Sequence, residues 1–469
     1  MKSNLKIYNT LSQQKDEFKP VKGKQINLFV CGPTVYDYSH IGHARNYVIF
    51  DSFVKYLKHQ GFKVFYLQNI TNIDDKIIAR ARERGVLPND LALAFEKEYL
   101  KDMKALGVNS VSKYVRATDC IKEIISQVER LQKKGFAYII EGDGVYYDIA
   151  KFKNYGKLAG RTALDAEDSV SRIDYSSKKK NRGDFCLWKF KQESLEPSWP
   201  SPFGLEESQG RPGWHIEDTA ITEKFFGAQY DIHGGARDLI FPHHEAEIAQ
   251  MEAISGKSPL VKYWMHVGFL TVNGQKMSKS QGNFITINDF LRRCPVNYLR
   301  FFIVKNLWSS PVDYSEAVLI EVRSAVTKIE EFIRKIRTQK PLLKNLSEVT
   351  KSIKEFRTNF YKELDDDFNT PKAFAVMFEF IKKSSELTFS KKQATEIYKI
   401  FQEINNIFGI IDFKKISKKI PAGIKKLVKE RELYRKNKNW QKSDELRKEI
   451  ESKGFSVEDT ETGTITKFL

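Results

Sequence analysis

The chain has 469 residues, too long for one ordinary domain, and its 78 Lys and Arg against 60 Asp and Glu give a formal net charge of +18. Hydrophobic residues make up 41% of it, and no run approaches the ~20 apolar residues of a membrane span, so a membrane protein is not expected. The N-terminus lacks the pattern of a secretory signal. The cysteines form no CxxC pair, which argues against a disulfide framework or a zinc knuckle and favours a cytoplasmic setting: Cys31, Cys120, Cys186 and Cys294.

The first elements predict a βαβ unit. Ile26–Cys31 has the pattern of a short buried strand, His43–His59 has apolar residues at helical spacing, and Phe62–Leu67 is a second strand. Strand, helix and strand in this order indicate a parallel sheet. Because ligands of such sheets bind at the carboxyl ends of the strands, we expect a site near Cys31 and after Leu67.

The pattern then changes several times along the chain. Residues from about 115 to about 205 resemble an insertion with short strands, and the alternation of strands and helices resumes near Tyr230. Asn273-Gly274 predicts a type I′ hairpin turn just before the sequence KMSKSQGN. Beyond about Asp289 the pattern is helical and predicts a bundle. Ile411–Pro421 is predicted to be a linker, and a small basic module that ends in a hairpin follows it.

The positive charge is concentrated in that last module. Between Lys414 and Lys453 there are 15 Lys and Arg and 6 Asp and Glu, a net +9 that is half of the whole excess. Charge concentrated in this way favours contacts with the phosphates of a nucleic acid. Composition alone leaves open the alternative of a generally Lys-rich proteome.

Two short motifs indicate nucleotide chemistry. His40-Ile41-Gly42-His43 follows a strand and opens a helix, where free N–H groups and the positive end of the helix dipole attract phosphate. Two imidazoles three residues apart share a face and can donate hydrogen bonds to phosphoryl oxygens. The second motif, Lys276-Met277-Ser278-Lys279-Ser280, lies on a predicted loop that could close over a triphosphate. Alone it could equally be a solvated basic loop, but the two motifs together resemble those of class I aminoacyl-tRNA synthetases.

A third set of residues has metal-binding chemistry. His243 and Glu247 are four residues apart on one helix face, a spacing that suits chelation. Such a pair is more often a surface hydrogen bond. Cys31 at a strand end and the segment from Trp214 to Asp218 favour the metal hypothesis, because they add further ligand types.

Longer blocks make the resemblance specific, and from about residue 5 to the C-terminus the chain resembles the cysteinyl-tRNA synthetase family in both order and spacing. The blocks are Cys31-Gly32-Pro33-Thr34-Val35-Tyr36, His40–His43, Asn69-Ile70-Thr71-Asn72-Ile73-Asp74-Asp75-Lys76, Arg211-Pro212-Gly213-Trp214-His215-Ile216-Glu217, Asp231-Ile232-His233-Gly234-Gly235, Phe241-Pro242-His243-His244-Glu245 and Lys276–Ser280.

The resemblance implies one Zn²⁺ per chain, held by residues at Cys31, Asp218, His243 and Glu247. The family usually has a second cysteine where this chain has Asp218, and bacterial members often have a pocket histidine where Leu100 stands. Asp is an accepted zinc ligand. We therefore expect the metal to be retained, with weaker binding through Asp218 as the alternative. Both departures are expected to affect the recognition of cysteine.

The resemblance also implies the reaction and the residue roles. L-Cysteine and ATP with Mg²⁺ would form cysteinyl-adenylate, and the 3′ end of tRNA(Cys) would take the cysteinyl group. His40 and His43 would stabilise the transition state at the α-phosphate, with Gly42 beside them, and Lys276 and Lys279 would bind the β- and γ-phosphates. Family positions around the amino acid and the ribose fall on Thr71, Trp214, His233 and Asp238, of which Asp238 is assigned to ATP as well. Because metal capture of a thiol excludes serine, no editing site is expected.

The predicted architecture is α/β: a Rossmann-like parallel-sheet catalytic domain split by an insertion, then an α-helical bundle and a small basic C-terminal module. The predicted boundaries are 1–115 and 206–290 for the two catalytic halves, 116–205 for the insertion, 291–320 for a stem-contact region, 321–412 for the tRNA-binding bundle and 413–469 for an anticodon-binding module. We expect a monomer. Two alternatives stay open: a related enzyme that joins cysteine to an amino sugar, and a tRNA-binding paralogue without catalysis.

Overall fold

The computed structural model describes residues 5–161, 176–204, 208–278, 281–339, 346–417, 421–460 and 463–468. The chain divides into two compact units, Met1–Val326 with Pro341–Ile410, and Thr327–Lys340 with Ile411–Leu469. The division at Ile410 lies close to the predicted boundary at residue 412. The grouping of Thr327–Lys340 with the C-terminal residues had no signal in the sequence.

The helices and strands follow the predicted order. The first catalytic half contains β1 (Lys6–Asn9), β2 (Gln14–Glu17), β3 (Gln25–Val30), α1 (Ile41–His59), β4 (Lys63–Ile70), α2 (Asp75–Arg84), α3 (Pro88–Ala105) and β5 (Lys113–Arg116). The segment from the predicted insertion to residue 212 contains α4 (Ile121–Lys133), β6 (Ala137–Ile140), β7 (Gly144–Tyr147), β8 (Phe185–Phe190), β9 (Trp199–Pro200) and β10 (Gln209–Pro212).

The second half and the C-terminal part complete the set. The second half contains α5 (Ile216–Phe226), β11 (Tyr230–Ala236), α6 (Glu245–Ser255), β12 (Val261–Val267), β13 (Leu270–Val272), β14 (Gln275–Lys276), α7 (Ile287–Arg293), α8 (Val296–Val304) and β15 (Val312–Tyr314). The remaining elements are α9 (Glu316–Thr338), α10 (Leu346–Asp365), α11 (Thr370–Lys383), α12 (Lys391–Phe408), α13 (Phe413–Ser417), α14 (Ala422–Lys436), α15 (Trp440–Ser452), β16 (Phe455–Thr460) and β17 (Gly463–Phe468).

A five-stranded parallel sheet organises the catalytic half-domains, in the order β12-β11-β3-β4-β5. This confirms the predicted parallel sheet. Its central pair, β3 and β11, comes from the two different halves, with Ile232 opposite Leu28 and Gly234 opposite Val30. The pairing continues past the end of β3, where the Cys31 N–H donates to the Gly234 carbonyl at 3.1 Å.

Gly234 is required at this central position because α1 packs directly on the sheet there. A Cβ at Gly234 would lie 2.2 Å from Cζ of Phe50, which is fully buried in α1. The close approach sets the distance between the helix that begins with the His40–His43 motif and the strand that carries His233.

The insertion forms a sheet of its own, in the order β6-β7-β8-β10-β9, with antiparallel pairing throughout. Strand β10 belongs to this sheet, although it lies beyond the predicted boundary at residue 205. A buried ion pair anchors β10, since Arg211 Nε donates to Glu196 Oε1 at 2.6 Å and its guanidinium also pairs with Asp75 of α2.

The predicted hairpin is confirmed. Strands β13 and β14 pair antiparallel, with Val272 opposite Gln275, and both turn residues, Asn273 and Gly274, have positive φ as a type I′ turn requires. On its other side β13 pairs in parallel with β15.

The predicted linker is wrong in part, because Ile411–Pro421 contains the helix α13 and Ile416 in it is buried. The predicted C-terminal hairpin is confirmed by the antiparallel pairing of β16 and β17. In this unit Arg431 is fully buried and donates to both carboxylate oxygens of Asp459 at 2.8 Å. No helix in the described ranges has the length and apolarity that a membrane span requires.

A buried ion pair joins α1 to the elements that follow the catalytic sheet. Arg300 of α8 and Asp51 of α1 are 2% and 0% exposed, and Arg300 Nη2 donates to Asp51 Oδ2 at 3.0 Å. Arg300 also donates to the carbonyls of Leu106 and Phe408. Although burial alone raises the pKa of Asp51, the charges of Arg300 and Lys55 outweigh burial and hold that pKa below its ordinary value.

We expect Asp51→Asn to lower the free energy of unfolding by about 3–5 kcal/mol, because it leaves the buried charge of Arg300 without a partner. Urea denaturation of the full chain measures the change. The depressed pKa stabilises the fold above the ordinary pKa of Asp, and this contribution is lost as the pH falls through the folded-state pKa. The wild type should therefore lose more stability than Asp51→Asn on acidification.

The exposed pair of Lys15 and Asp366 is the matched control, since both side chains are more than 40% accessible, at 42% and 43%. Asp366→Asn should change the free energy of unfolding by less than about 1 kcal/mol. Equal effects of the two substitutions would contradict the role assigned to the buried pair.

Candidate active site

A cleft of 780 Å³ lies at the carboxyl ends of β3 and β4. The loop after β3 forms its wall by pairing with the residues after β4: the Val35 N–H donates to the Thr71 carbonyl and the Thr71 N–H to the Pro33 carbonyl, both at 3.1 Å. The predicted site residues that line it are Cys31, His40, Gly42, His43, Thr71, Trp214, Asp218, Asp238, His243 and Lys276. The predicted location at the strand ends is therefore where the cleft lies.

The floor of the cleft brings the four predicted metal ligands together. Ligand atoms of Cys31, Asp218, His243 and Glu247 all lie within 4.8 Å of one another, and all four residues are buried. His243 Nε2 is 3.1 Å from Asp218 Oδ2 and 3.3 Å from Glu247 Oε1. Cys31 follows β3, helix α5 supplies Asp218, the turn Ile240–His244 supplies His243 and α6 supplies Glu247, so the floor is assembled from four segments.

These donors fit a divalent cation. Both carboxylate oxygens of Glu247 and Oδ1 of Asp218 are buried, and none of the described residues donates a hydrogen bond to them. Burial raises the pKa values of the Cys31 thiol and of the Glu247 carboxyl well above their ordinary range, and the neighbouring charge of Asp218 raises both further. A cation among them would satisfy the orphaned oxygens and remove the repulsion.

Aromatic rings enclose this floor from the side of the cleft. The indole of Trp214 stacks on His243 with ring centroids 4.4 Å apart and an interplanar angle of 17°, and it stays 38% exposed. His215 holds the other face of the site, with its Nδ1 2.9 Å from Nδ1 of His243. His243 is thus fixed through both ring nitrogens, as metal-ligating histidines usually are.

The motif His40–His43 starts α1 in a reciprocal capping arrangement. Nδ1 of His40 accepts hydrogen bonds from the N–H groups of Gly42 and His43 at 3.1 and 3.4 Å, and Nδ1 of His43 accepts from the His40 N–H at 3.2 Å. The helix therefore begins at Ile41, two residues before the predicted start, because His40 caps it.

This capping fixes the tautomer of both rings. A neutral imidazole whose Nδ1 accepts must carry its proton on Nε2. Burial lowers the pKa of His43 to about 4, and burial together with the charge of His43 lowers that of His40 to about 2, so both rings are neutral at physiological pH. The motif therefore offers two neutral Nε2–H donors, stacked with ring centroids 3.8 Å apart.

Backbone hydrogen bonds join the start of α1, which carries the first nucleotide motif, to the segment that follows the second motif. The Ile41 N–H donates to the Ile285 carbonyl at 3.1 Å, and the Ile287 N–H donates to the Ser39 carbonyl at 3.0 Å. Met277 lies over Gly42, where an added Cβ would be 3.5 Å from Met277 Cε and 2.8 Å from the His40 ring. Gly42 therefore leaves room for the packed imidazole and for the loop.

Asn283 holds the start of the second motif. Its Oδ1 accepts from the Ser278 N–H at 2.8 Å and its Nδ2 donates to the Lys276 carbonyl at 3.2 Å. The Lys276 side chain is exposed at the cleft. Lys279, also predicted to bind phosphate, lies outside the described residues.

The remaining predicted residues differ in their positions. Thr71 lines the cleft, and its hydroxyl donates to Glu217 Oε1 at 2.6 Å, while Asp238 is exposed at the cleft. His233 is fully buried behind Cys31, with its Nε2 3.3 Å from Cys31 Sγ, and does not line the described part of the cleft.

Leu100 is the second position at which the chain departs from the family pattern. Leu100 is 36% exposed and is not among the described residues that line the cleft, where its neighbour Tyr99 lies instead. The Tyr99 hydroxyl donates to Gln68 Oε1 at 3.1 Å. The expectation that Leu100 affects recognition of the amino acid stays a prediction.

Sequence reasoning missed several residues around the floor. His244 contacts Cys31, with its Nε2 3.1 Å from Sγ, and His266 in turn holds Nδ1 of His244 at 2.7 Å. Tyr230 Oη lies 2.6 Å from Nδ1 of His233. The available signal was the clustering of histidines in the motif segments of the sequence. That clustering indicates that they share one site, but it does not predict which atoms they contact.

Two family models match the chain. The class I (C) tRNA synthetase catalytic domain matches residues 17–324, and the DALR domain matches residues 359–412. A cysteine–tRNA ligase of Thermoplasma volcanium is 45% identical over 97% of both chains. The chain belongs to the cysteine–tRNA ligase family. A member from Thermococcus onnurineus is 42% identical and one from Clostridioides difficile 39%, and the matches cover 99% and 98% of this chain and 99% of each relative.

Solved structures support the class I fold of this cysteine–tRNA ligase family member. Mycobacterium tuberculosis methionyl-tRNA synthetase in complex with methionyl-adenylate superposes with a TM-score of 0.60 at 13% identity and covers 82% of this chain and 90% of its own. A ternary LeuRS–tRNA–LeuAMS complex of Agrobacterium radiobacter gives a TM-score of 0.61 at 10% identity over 84% and 85% of the two chains.

We expect Cys31→Ala to lose bound metal, because Cys31 provides the only sulfur donor among the described residues of the floor. Elemental mass spectrometry of the full chain after saturation with Zn²⁺ and removal of the free ion measures the content. Cys120→Ala is the matched control, since Cys120 is also fully buried but lies next to Lys224. Equal zinc content in the two variants would contradict the assignment of the floor as a metal site.

Proposed function

We propose that this chain activates L-cysteine with ATP and transfers the cysteinyl group to the 3′ end of tRNA(Cys), the reaction for which its family is named. One observation carries the proposal. The motif His40–His43 and Lys276 line one cleft, whose floor holds Cys31, Asp218, His243 and Glu247. Donors for phosphate and ligands for a thiophilic ion thus meet at one cleft.

The first step forms an adenylate. A carboxylate oxygen of cysteine attacks the α-phosphorus of ATP, the bond to the β-phosphate breaks, and pyrophosphate leaves. The Nε2–H groups of His40 and His43 donate to the non-bridging oxygens where charge develops, and they need no change of protonation to do so. Lys276 and Lys279 bind the β- and γ-phosphates, which Mg²⁺ accompanies. In the second step a ribose hydroxyl of the terminal tRNA adenosine attacks the carbonyl and AMP leaves.

Cysteine lies between the floor and the wall of the cleft. Thr71, whose hydroxyl hydrogen is engaged by Glu217, presents an acceptor oxygen toward the amino group, and Trp214 covers the side chain from solvent. Asp238 lines the edge of the cleft and would bind the ribose, and His233 would act from behind Cys31 by holding the Cys31 thiol in position. Positioning the two substrates is itself a large part of the rate.

Cys31, Asp218, His243 and Glu247 would hold Zn²⁺ at the floor. When bound there, the ion supplies a Lewis acid with affinity for the thiolate of cysteine and little for the hydroxyl of serine. The chain contributes the dry, aromatic-lined surroundings in which that difference is largest, since the four residues are at most 5% exposed. This arrangement removes the need for an editing site.

The helical bundle and the C-terminal unit are proposed to bind the tRNA. The basic residues of α14 and α15 would contact phosphates. Trp440 is 56% exposed, so it is available to stack on an unpaired base. The guanidinium of Arg435 lies 5.5 Å from the centre of its ring. The enzyme is proposed to act as a monomer.

We expect cysteine-dependent ATP–pyrophosphate exchange and charging of tRNA(Cys) by the purified full-length chain. Exchange with serine should be at least about 100-fold weaker, because an apolar pocket alone separates such pairs by roughly that factor or less and the metal adds to it. Absence of exchange would favour the paralogue without catalysis. Exchange without charging, but with transfer of cysteine to an amino sugar, would favour the other alternative.

We expect His40→Asn to reduce pyrophosphate exchange about 10²–10³-fold, since it removes one Nε2–H donor. Asn is a good N-cap, so the thermal midpoint should change little, which separates the donor role from the capping role. His59→Asn, at the other end of the same helix, is the control and should keep its activity. Full activity of His40→Asn, or a loss of activity matched by a loss of stability, would contradict the proposed role.

A further inference from the structure

A second set of metal-ligating side chains lies directly behind the floor of the cleft. Ligand atoms of Cys31, His233, His244 and Glu247 all lie within 4.8 Å of one another, and the four residues are buried. Cys31 Sγ is 3.3 Å from His233 Nε2 and 3.1 Å from His244 Nε2, and His244 Nε2 is 4.0 Å from Glu247 Oε1. The set shares Cys31 and Glu247 with the first, so the two sets are alternatives for one ion.

Both additional histidines are held as ligating histidines are. A metal-bound imidazole usually has its other nitrogen hydrogen-bonded, which fixes the ring orientation. His233 Nδ1 is 2.6 Å from the Tyr230 hydroxyl, and His244 Nδ1 is 2.7 Å from Nε2 of His266. In each ring Nε2 is the nitrogen that faces Cys31.

The donor types of the second set also suit zinc. The first set has one sulfur, one nitrogen and two carboxylate donors, whereas the second has one sulfur, two nitrogens and one carboxylate. Zn²⁺ prefers nitrogen and sulfur ligands. With its thiolate and its one carboxylate the second set also balances the two charges of the ion, and an excess of buried charge is costly.

We propose that Cys31, His233, His244 and Glu247 form a second position for the same ion, which keeps the metal bound when Asp218 does not ligate it. The inference rests on the proposed metal site of the cleft floor. The chain thereby tolerates an aspartate at position 218, because loss of that ligand moves the ion toward His233 and His244 instead of releasing it.

The test is the metal content and affinity of full-length variants loaded with Zn²⁺ alone, together with the absorption spectra of their Co²⁺ forms. Asp218→Ala should keep close to one Zn²⁺ per chain and the thiolate-to-Co²⁺ charge-transfer band, with chelator competition showing a loss of affinity of at most about 100-fold, the size of a supporting-ligand effect. Asp218→Ala combined with His244→Phe should lose both the metal and the band. His244→Phe alone should stay loaded through the first set.

Asp218→Asn, alone and combined with His244→Phe, repeats the test with a side chain of nearly unchanged shape, in case an alanine variant fails to fold. The proposal is overturned if Asp218→Ala or Asp218→Asn is as metal-free as Cys31→Ala. It is also overturned if adding His244→Phe to Asp218→Ala or to Asp218→Asn leaves the metal content unchanged. A wild type that takes up no Zn²⁺ would instead overturn the metal site of the proposed function, so the two failures are distinguishable.

Discussion

The active site depends on the pairing of two strands that lie far apart in the sequence, β3 and β11. This pairing places Cys31, at the end of one strand, beside His233 in the other, although 202 positions separate them. The intervening residues can be that numerous because the insertion pairs its own strands in a separate sheet. Gly234 and Phe50 then fix how closely α1 approaches, and with it where the His40–His43 motif meets the cleft.

The cleft separates two kinds of electrostatic surroundings. Its floor collects a thiol and two buried carboxyls. Burial and the charge of Asp218 raise the pKa values of Cys31 and Glu247, and such a group is suited to a cation. Its edge presents neutral imidazole N–H groups and an exposed lysine, which are suited to phosphate. In the proposed function the thiol of the substrate would bind at the floor and the triphosphate at the edge, so the protein would set the distance between the reacting carboxylate and the α-phosphorus.

The spacing of apolar residues and the residues of the turns were enough to predict the βαβ unit, the parallel sheet and the Asn273-Gly274 hairpin, because each depends on residues that are close together in the sequence. The motifs led to the residues of the cleft. Helix phase was harder to predict: Tyr99 and Leu100 differ by one position, yet one lines the cleft and the other faces outward. The contacts of His244 and His266 depend on the packing of α6 against β12, which no local pattern in the sequence contains.

The hairpin beside the cleft has a mechanical consequence. Strand β13 is clamped on one side by β15, and Asp313 accepts hydrogen bonds from both the Thr271 hydroxyl and the Gly274 N–H at 2.7 Å. The hairpin is therefore held from outside its own turn, and beyond it the Ile285 N–H donates to Met277 Sδ at 3.5 Å while the Ser278 N–H donates to Asn283 Oδ1 at 2.8 Å. Any movement of the Lys276 loop toward a bound triphosphate would therefore start beyond this hairpin, which would keep the displacement out of the sheet that carries the floor of the cleft.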